Sequence, residues 1–499
     1  MNASLFPPAV AQPRPLRSYQ ARAIEMVRAA LMAGKRRPLL QLPTGAGKTR
    51  VASEIIRGAR AKDKTAVFVV PRLSLIEQTI RAFERDGITD VGVIQGQHYR
   101  TDRMAPVQIA SAQTLARREM PDGALVLVDE CHLRHKAVTS WMADPEWASV
   151  PFIGLSATPW SRGLGAQFDA LLQPVTIQEL IDGDFLTPAL VFAPPPPDLG
   201  GVRTNAGEFN ECDLSDACNK KELIADIVET WIGKGENRPT LCYAVDRKHA
   251  QHLQERFIEA GVATAYVDCD TPMFEREEIF ERFAASETKL ICNVATLDTG
   301  LDLDVRCIID ARPTKSRIRF VQTIGRGLRP AEGKDHLIVL DHAGNHQRLG
   351  RVTDISFDHL DDGESNRNLD RGVAEREPII RFCPACRCVL PPAARICPAC
   401  GEQIFATTPV IEKAGELIEL GSARRGSSAK EDVALWHTAL ARIAREKGYK
   451  SGWVRHQYLK KFGHWPPMFP PPEREPTVEI RNWVRSRQIA YAKAGSAHG

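Results

Sequence analysis

One short stretch restricts the fold of this chain more than any other. The apolar run Pro38–Leu42 leads into Pro43-Thr44-Gly45-Ala46-Gly47-Lys48-Thr49, and a helical pattern with apolar Val51, Ala52, Ile55, Ile56 and Ala59 follows at once. Strand, glycine loop, Lys-Thr and helix together are the setting a phosphate loop needs. The glycines let backbone N–H groups approach phosphate oxygens, and the helix N-terminus adds partial positive charge. In such a site Thr44, Gly45, Ala46 and Gly47 form the cradle, Lys48 reaches the β- and γ-phosphates, and the Thr49 hydroxyl ligates Mg²⁺. The strict pattern has a further glycine five residues before Gly47, where this chain has Leu42. A glycine turn that merely joins strand to helix is the bland alternative.

The same alternation of short β-rich runs and helical patterns recurs in two blocks, the signature of parallel α/β sheets. Pro38–Leu42, Ala66–Val70, Ala124–Val128 and Phe152–Leu155 are the expected strands of the first block. Thr240–Tyr243, Thr264–Val267, Leu290–Val294, Cys307–Asp310 and Leu337–Leu340 are those of the second. Between them Ala193–Gly201 is too rich in Pro and Gly to continue an element. The expected layout is an N-terminal extension over 1–15, a first lobe over 16–190, a second over 191–350 and a polar linker over 351–380. A cysteine module over 381–405 and a short basic, mainly helical domain over 406–499 complete it. No apolar run approaches the roughly 20 residues needed to cross a bilayer. The proline-rich start Met1–Pro15 lacks a signal-peptide pattern. A cytoplasmic monomer with no membrane partner, encoded by a bacterium or a phage, is the expectation.

Ala124–Val128 ends in Asp129-Glu130-Cys131-His132. Carboxylates at the C-terminal end of a buried parallel strand face the crevice where such sheets bind ligands. Asp129 suits Mg²⁺ held through water, and Glu130 suits polarising an attacking water. A carboxylate pair that caps a helix is the structural alternative. With these residues in place, the chain resembles superfamily two helicases of the DEAD/DEAH type, with two RecA-like lobes, over about residues 16–345.

That resemblance implies roles for further residues. Leu16-Arg17-Ser18-Tyr19-Gln20 is similar to the adenine-reading motif, which puts Arg17 and Gln20 in the nucleotide site. Val69-Val70-Pro71-Arg72 with Leu75 and Gln78 resembles motif Ia, and Ser111–Thr114 the next strand-binding motif; Pro71, Arg72, Gln78 and Thr114 are then nucleic-acid contacts. Ser156-Ala157-Thr158 resembles motif III, and His132 belongs to the catalytic set through the DECH form of motif II. Asn293–Asp302 resembles motif V, with Asn293 on nucleic acid and Gly300 and Asp302 near the nucleotide. Gln322–Arg329 resembles motif VI, which makes Gln322, Arg326 and Arg329 catalytic. Charge spreads over the γ-phosphate oxygens in the transition state, and a guanidinium neutralises it. Such an arginine finger contributes roughly 10³–10⁵-fold in rate. Because Arg326 and Arg329 sit on the other lobe, hydrolysis requires closure of the cleft. Arg319 and Lys315 are read as a solvated helix face.

Five of the twelve cysteines crowd into residues 383–400, which in a reducing compartment points to metal. Cys383-Pro-Ala-Cys386 and Cys397-Pro-Ala-Cys400 are two knuckles that complete a tetrahedral site for structural Zn²⁺, with Cys388 as the spare. Residues 423–499 hold 15 Lys/Arg and 6 Asp/Glu, a balance of 15 − 6 = +9, on a chain whose net charge is +4. A polyanion partner follows for that tail. Aromatics interleaved with the bases (Trp453, Tyr458, Phe462, Trp465) suit either stacking on nucleic acid or a small aromatic core.

The architecture of core, zinc module and basic tail is similar to RadD-like bacterial DNA-repair ATPases and their phage relatives. The expected function is ATP-dependent unwinding or remodelling of DNA in repair, recombination or replication, with ATP, Mg²⁺ and Zn²⁺ as cofactors. An RNA helicase, the motor subunit of a restriction system, and a nucleotide-gated DNA-binding adaptor are the alternatives. A protein partner could also dock on the C-terminal domain.

Overall fold

A computed structural model of the chain describes residues 15–96, 98–205, 207–294, 303–363, 380–404, 428–466, 475–477 and 480–485. Continuous aliphatic runs make strands buried on both faces, which is how parallel sheets covered by helices are written in sequence. The first sheet has β1 (Pro38–Gln41), β2 (Ala66–Val70), β3 (Val91–Ile94), β4 (Val107–Ser111), β5 (Val126–Asp129), β6 (Phe152–Ser156) and β7 (Ala170–Leu172). Their order is β3-β4-β2-β5-β6-β1-β7, with every pairing parallel. After β8 (Ala189–Phe192) comes a small antiparallel hairpin of β9 (Thr204–Asn205) and β10 (Glu208–Phe209). The strands β11 (Thr240–Tyr243), β12 (Thr264–Val267), β13 (Leu290–Asn293), β14 (Cys307–Asp310) and β15 (Leu337–Asp341) then join β8 in a second parallel sheet, ordered β12-β13-β11-β14-β15-β8.

Register in the first sheet decides where the loops end up. Gln41 of β1 pairs with Ser156 of β6, and Leu155 of β6 pairs with Asp129 of β5. The C-terminal ends of these three strands are therefore level to within a residue, and the loops that leave them converge. The helix Lys48–Arg60 starts from one of those loops, and its Val51, Ala52 and Ile56 are buried. In the second lobe the helix Arg317–Gly327, N-capped by the Ser316 side chain, buries Phe320, Val321 and Ile324.

In the two parallel sheets four strands lie outside those expected from sequence: β3, β4, β7 and β8. Strand β8 also straddles the expected lobe boundary at 190. Its Ala189–Phe192 pairs in parallel with Leu337–Leu340, so the second lobe takes it from the first residue. The expected linker over 351–380 needs a correction too. Val352 is buried in the core, and Leu360 packs against the cluster of Trp141, Phe152 and Phe168 in the first lobe. Residues 351–363 are docked chain. Residues 364–379 lie outside the described residues.

The cysteine module carries β16 (Arg381–Phe382) and β17 (Val389–Leu390), an antiparallel pair. It lies on the outer side of β8: Phe192 bridges to Cys388, and Cys383, Cys388, Leu390 and Cys397 share a core with Phe192, Val228 and Trp231.

The chain divides after Ala406 into two compact units. In the second, the helices Ser428–Glu446 and Ser451–Phe462 pack around Trp436, Leu440, Ile443, Tyr458 and Ile480. Trp453 and Phe462 pack against that cluster, so these aromatics are core, while Trp465 is half exposed. Arg445, Lys447, Lys450, Arg455, Lys460 and Lys461 are exposed. Among the described residues, no helix is long and apolar enough to cross a membrane.

Candidate active site

The loop between β1 and its helix makes a tight turn through Gly45 and Gly47, whose φ angles are 86° and 83°. Gly47 in the left-handed region caps the helix and directs the first-turn N–H groups and Lys48 into the crevice. Lys48 Nζ donates to Glu130 Oε1, and both side chains are largely buried. Glu130 itself has φ 45°, a left-handed conformation rare for a residue with a Cβ. That bend, one residue past the end of β5, brings its carboxylate to Lys48. Asp129 Oδ1 accepts the Glu130 N–H at 3.0 Å.

Three ionisable groups now share a small volume. Burial and the neighbouring Glu130 push Asp129 up to about 6. Burial acts the same way on Glu130, but the Lys48 ammonium outweighs it and holds Glu130 below the ordinary carboxylate range. Burial opposes the charge on Lys48, yet Glu130 and Asp129 together keep its pKa above the usual value. Lys48, and Arg326 from the second lobe, meet the charge on Glu130, while Asp129 is left facing that carboxylate and is not held below its ordinary range. A divalent cation held by oxygen ligands would suit Asp129 there, with its carboxylate and the Thr49 hydroxyl as donors.

His132 joins the two lobes. It is buried, and burial lowers its pKa to about 4, so the ring is neutral near pH 7. Gln322 Nε2, on the second lobe, donates to His132 Nε2 at 3.2 Å and to Thr158 Oγ1 at 3.2 Å. Accepting at Nε2 assigns the ring proton to Nδ1, which donates to Ser156 Oγ at 2.9 Å. Ser156 Oγ in turn accepts the Thr158 N–H at 3.0 Å. A single amide thus reads the end of β5 and the end of β6 at once. Close backbone approach makes this possible: a Cβ on Gly325 would lie 2.9 Å from Thr44 Cβ in the phosphate loop. Arg326 is buried beside Glu130 and contributes to keeping that carboxylate ionised. Arg329 packs beside Gly45.

Gln20 is turned to the loop. Its Nε2 donates to Ala46 O at 3.0 Å, and its Oε1 accepts the Arg17 N–H at 3.1 Å. Tyr19, which sequence reasoning passed over, donates to the same Ala46 carbonyl at 3.1 Å. Arg17 donates to Tyr19 Oη at 3.1 Å and lies over the Phe185 ring.

The expected nucleic-acid contacts separate into two groups. Arg72 and Gln78 are exposed, and Thr114 is half-buried, held by Ser111 Oγ. Thr114 lines an open groove of about 1030 Å³ with Gln95, Arg103, Arg117 and Arg118. The arginines were missed by sequence reasoning, although Arg117-Arg118 follows Ser111–Thr114 almost directly. Pro71 is buried, and Asn293 is wholly buried with its Nδ2 donating to Cys242 O at 2.9 Å. Both side chains are buried in this structure. Gly300 and Asp302 lie outside the described residues.

Cys383, Cys386, Cys397 and Cys400 bring their four Sγ atoms within 4.8 Å of one another, an arrangement compatible with zinc. Each knuckle closes on a backbone bond, Arg387 N–H to Cys383 O and Gly401 N–H to Cys397 O. Cys388 is buried in the apolar cluster beside Cys383 and Cys397 with its Sγ toward Val389 O, outside the set of four. The Lys334 ammonium donates to the carbonyls of Gly327 and Arg329, capping the C-terminal end of the helix Arg317–Gly327, and to that of Val305.

The lobe contact is testable by itself. Gly325→Val should force the helix away from Thr44, since the added carbons have no room. Amide exchange over residues 43–49 should quicken in this variant; an unchanged rate would mean that the approach is not close in solution.

Comparison with known proteins bears on this geometry. The family model for the type III restriction enzyme res subunit matches residues 14–161, and that for the helicase conserved C-terminal domain matches 219–331. The chain is 31% identical over 356 residues to a Saccharomyces cerevisiae protein named as ATP-dependent helicase IRC3, covering 66% of this chain and 51% of that one. A 51.5 kDa protein of a Lactococcus phage is 27% identical, covering 82% of this chain and 90% of its own. The DNA 3'-5' translocase XPB2 of Sulfurisphaera tokodaii is 26% identical, covering 65% and 80%. The chain spans about half the length of the yeast relative. Both matched segments carry the residues that meet across the cleft, Lys48 and Glu130 on one side and Gln322 and Arg326 on the other, and the chain belongs to the superfamily two helicases.

Proposed function

We propose that this chain is an ATP-driven motor that moves along DNA and unwinds or remodels it. The observation that carries the reading is the contact of Gln322 with His132 and Thr158, which ties the second lobe to the nucleotide end of the first. In the proposed cycle Lys48 leaves Glu130 for the β- and γ-phosphates when ATP binds. Glu130, released from its ammonium, orients and deprotonates the attacking water. Thr49 and Asp129 would hold Mg²⁺, which would supply positive charge against the phosphates. Arg326 and Arg329 approach the γ-phosphate only while the lobes are closed, so turnover is coupled to lobe movement. Gln20 borders the adenine side through the loop carbonyl it shares with Tyr19, and Arg17 is held there by its bonds to those two residues.

DNA is the proposed track. The groove lined by Arg103, Arg117, Arg118 and Thr114 offers guanidinium and hydroxyl donors to phosphates, which position a strand without reading its sequence. The relative named as a DNA translocase favours the same choice. A second reading, the motor subunit of a restriction system, is favoured by the family description matched over 14–161. ATPase assays with single-stranded, duplex and forked DNA and with RNA separate these readings. Stimulation by forks in the isolated chain supports remodelling, stimulation only with added subunits supports a restriction motor, and preference for RNA would sink both.

Two variants test the assigned roles. Lys48→Ala should abolish ATP turnover with DNA binding retained, and Glu130→Gln should bind ATP yet stall on DNA. Wild-type turnover in Lys48→Ala, or loss of ATP binding in Glu130→Gln, would reverse these roles.

The purified chain should contain about one Zn²⁺ held by Cys383, Cys386, Cys397 and Cys400, a closed set of four thiolates that leaves no position for water. Elemental analysis checks it, and zinc retained after Cys397 and Cys400 are both replaced by Ser would refute it.

Deleting residues 423–499 should weaken DNA binding and flatten its salt dependence, by about 0.9 in log–log slope for each duplex phosphate that the tail neutralises. Anisotropy titrations at several salt concentrations measure the slope. An unchanged slope would assign the tail to a protein partner instead.

A further inference from the structure

The segment that follows the second lobe makes a set of contacts that neither sheet requires. Leaving the helix Asn345–Leu349, the chain buries Val352 and returns to the first lobe. There the Phe357 carbonyl accepts Gln173 Nε2 at 2.9 Å, and Gln173 also donates to Gln41 Oε1 at 2.7 Å, at the end of β1. Asp361 holds the loop beyond β6 in two ways. Its Oδ1 accepts the Gly163 N–H at 2.9 Å, and its carbonyl accepts the Gly165 N–H at 2.6 Å. A Cβ on Gly165 would lie 3.1 Å from the carbonyl oxygens of Leu360 and Asp361, so the two backbones are in direct contact. Arg162 closes the far end by donating to Gly363 O at 3.1 Å.

Phe357 sits at the junction. On one side its ring centroid is 5.2 Å from that of Trp160, two residues after Thr158. On the other, the Arg317 guanidinium lies 5.7 Å from the same centroid. Arg317 is the first residue of the helix that carries Gln322 and Arg326. One aromatic ring is therefore flanked by the loop after Ser156–Thr158 and by the start of the arginine-bearing helix. Gln322 bonds to Thr158 about a turn and a half further along that helix.

We propose that Phe357–Gly363 is a positioning strap for ATP hydrolysis, with Phe357 setting the helix Arg317–Gly327 in register against Thr158. This rests on the motor reading above. Asp361 anchors the strap to Gly163 and Gly165, the Phe357 ring takes Trp160 and Arg317 on its two sides, and the second lobe's arginines then arrive at one depth in the crevice. Neither Phe357 nor Asp361 touches the nucleotide loop, so both are positioning residues. A misplacement near 1 Å at the reacting groups costs up to about 10²-fold in rate, which gives such a strap leverage from outside the site.

The test uses the full chain, with DNA-stimulated ATP turnover and amide exchange measured together. Phe357→Ala should lower kcat about tenfold with KM for ATP changed by less than about twofold, the mark of an interaction made in the transition state. Phe357→Trp, which keeps an aromatic face, should restore most of that loss. Asp361→Ala should speed exchange at Gly163 and Gly165 and lower kcat in the same way. Wild-type kcat in Phe357→Ala, a deficit that Trp leaves in place, or unchanged exchange in Asp361→Ala would each overturn the strap. If the wild-type chain turns over no ATP with any DNA, the motor reading falls and the strap's role falls with it; turnover in the wild type with unaffected variants removes the strap alone.

Discussion

The level ends of β1, β5 and β6 are the constraint on which the rest of the molecule depends. Parallel pairing fixes Gln41 beside Ser156 and Leu155 beside Asp129. The phosphate loop, the Asp129–Glu130 pair and the Ser156–Thr158 turn consequently leave the sheet at one height. Side chains alternate faces along a strand, so a slip of one residue in β5 would turn Asp129 away from the crevice. The second lobe has a surface to meet only because three separate loops are held in one plane.

Electrostatics then sets the resting arrangement of that surface. A buried ammonium without a partner costs several kcal/mol, and so does a buried carboxylate. The Lys48–Glu130 pair meets both demands, and it leaves Asp129 facing Glu130 with little to balance it. His132 contributes no charge, because burial keeps it neutral and its two nitrogens are used in opposite senses, one accepting from Gln322 and one donating to Ser156. In this arrangement the Gln322 amide donates to an unprotonated Nε2, which goes with a neutral imidazole.

Much of this was legible in the sequence, for reasons that differ by element. The strands with four or five consecutive apolar residues, such as Ala66–Val70 and Leu337–Leu340, stood out because both of their faces are covered. Strands β3, β7 and β8 did not: they are edge strands of three or four residues, and single-neighbour pairing needs little sequence signal. Lys48 and Glu130 could be named because a glycine loop and a strand end impose local spacing, and Gln322 through the resemblance of Gln322–Arg329 to motif VI. Pro71 and Asn293 could not be judged that way, since burial is a property of what packs on a residue and not of its motif. The docking of 351–363 was hidden for the opposite reason. Many of its contacts are made by backbone carbonyls and glycine amides, with Val352, Phe357, Leu360 and Asp361 adding side chains, and a polar stretch with many carboxylates gives little sign of them. The Arg103 side of the groove was invisible because it depends on a loop folding back across tertiary structure.

The position of the cysteine module on β8 has a further consequence. An edge strand offers unpaired N–H and C=O groups to any other chain that can add a strand, and proteins blunt such edges to avoid sticking to one another. Here the blunting falls to Cys388, which bridges to Phe192 from a hairpin whose own shape depends on the two knuckles. The module therefore guards the molecule's colloidal behaviour as well as its fold. Loss of the ligand set would uncover a short apolar edge beside Phe192, and the first symptom in a concentrated solution would be self-association.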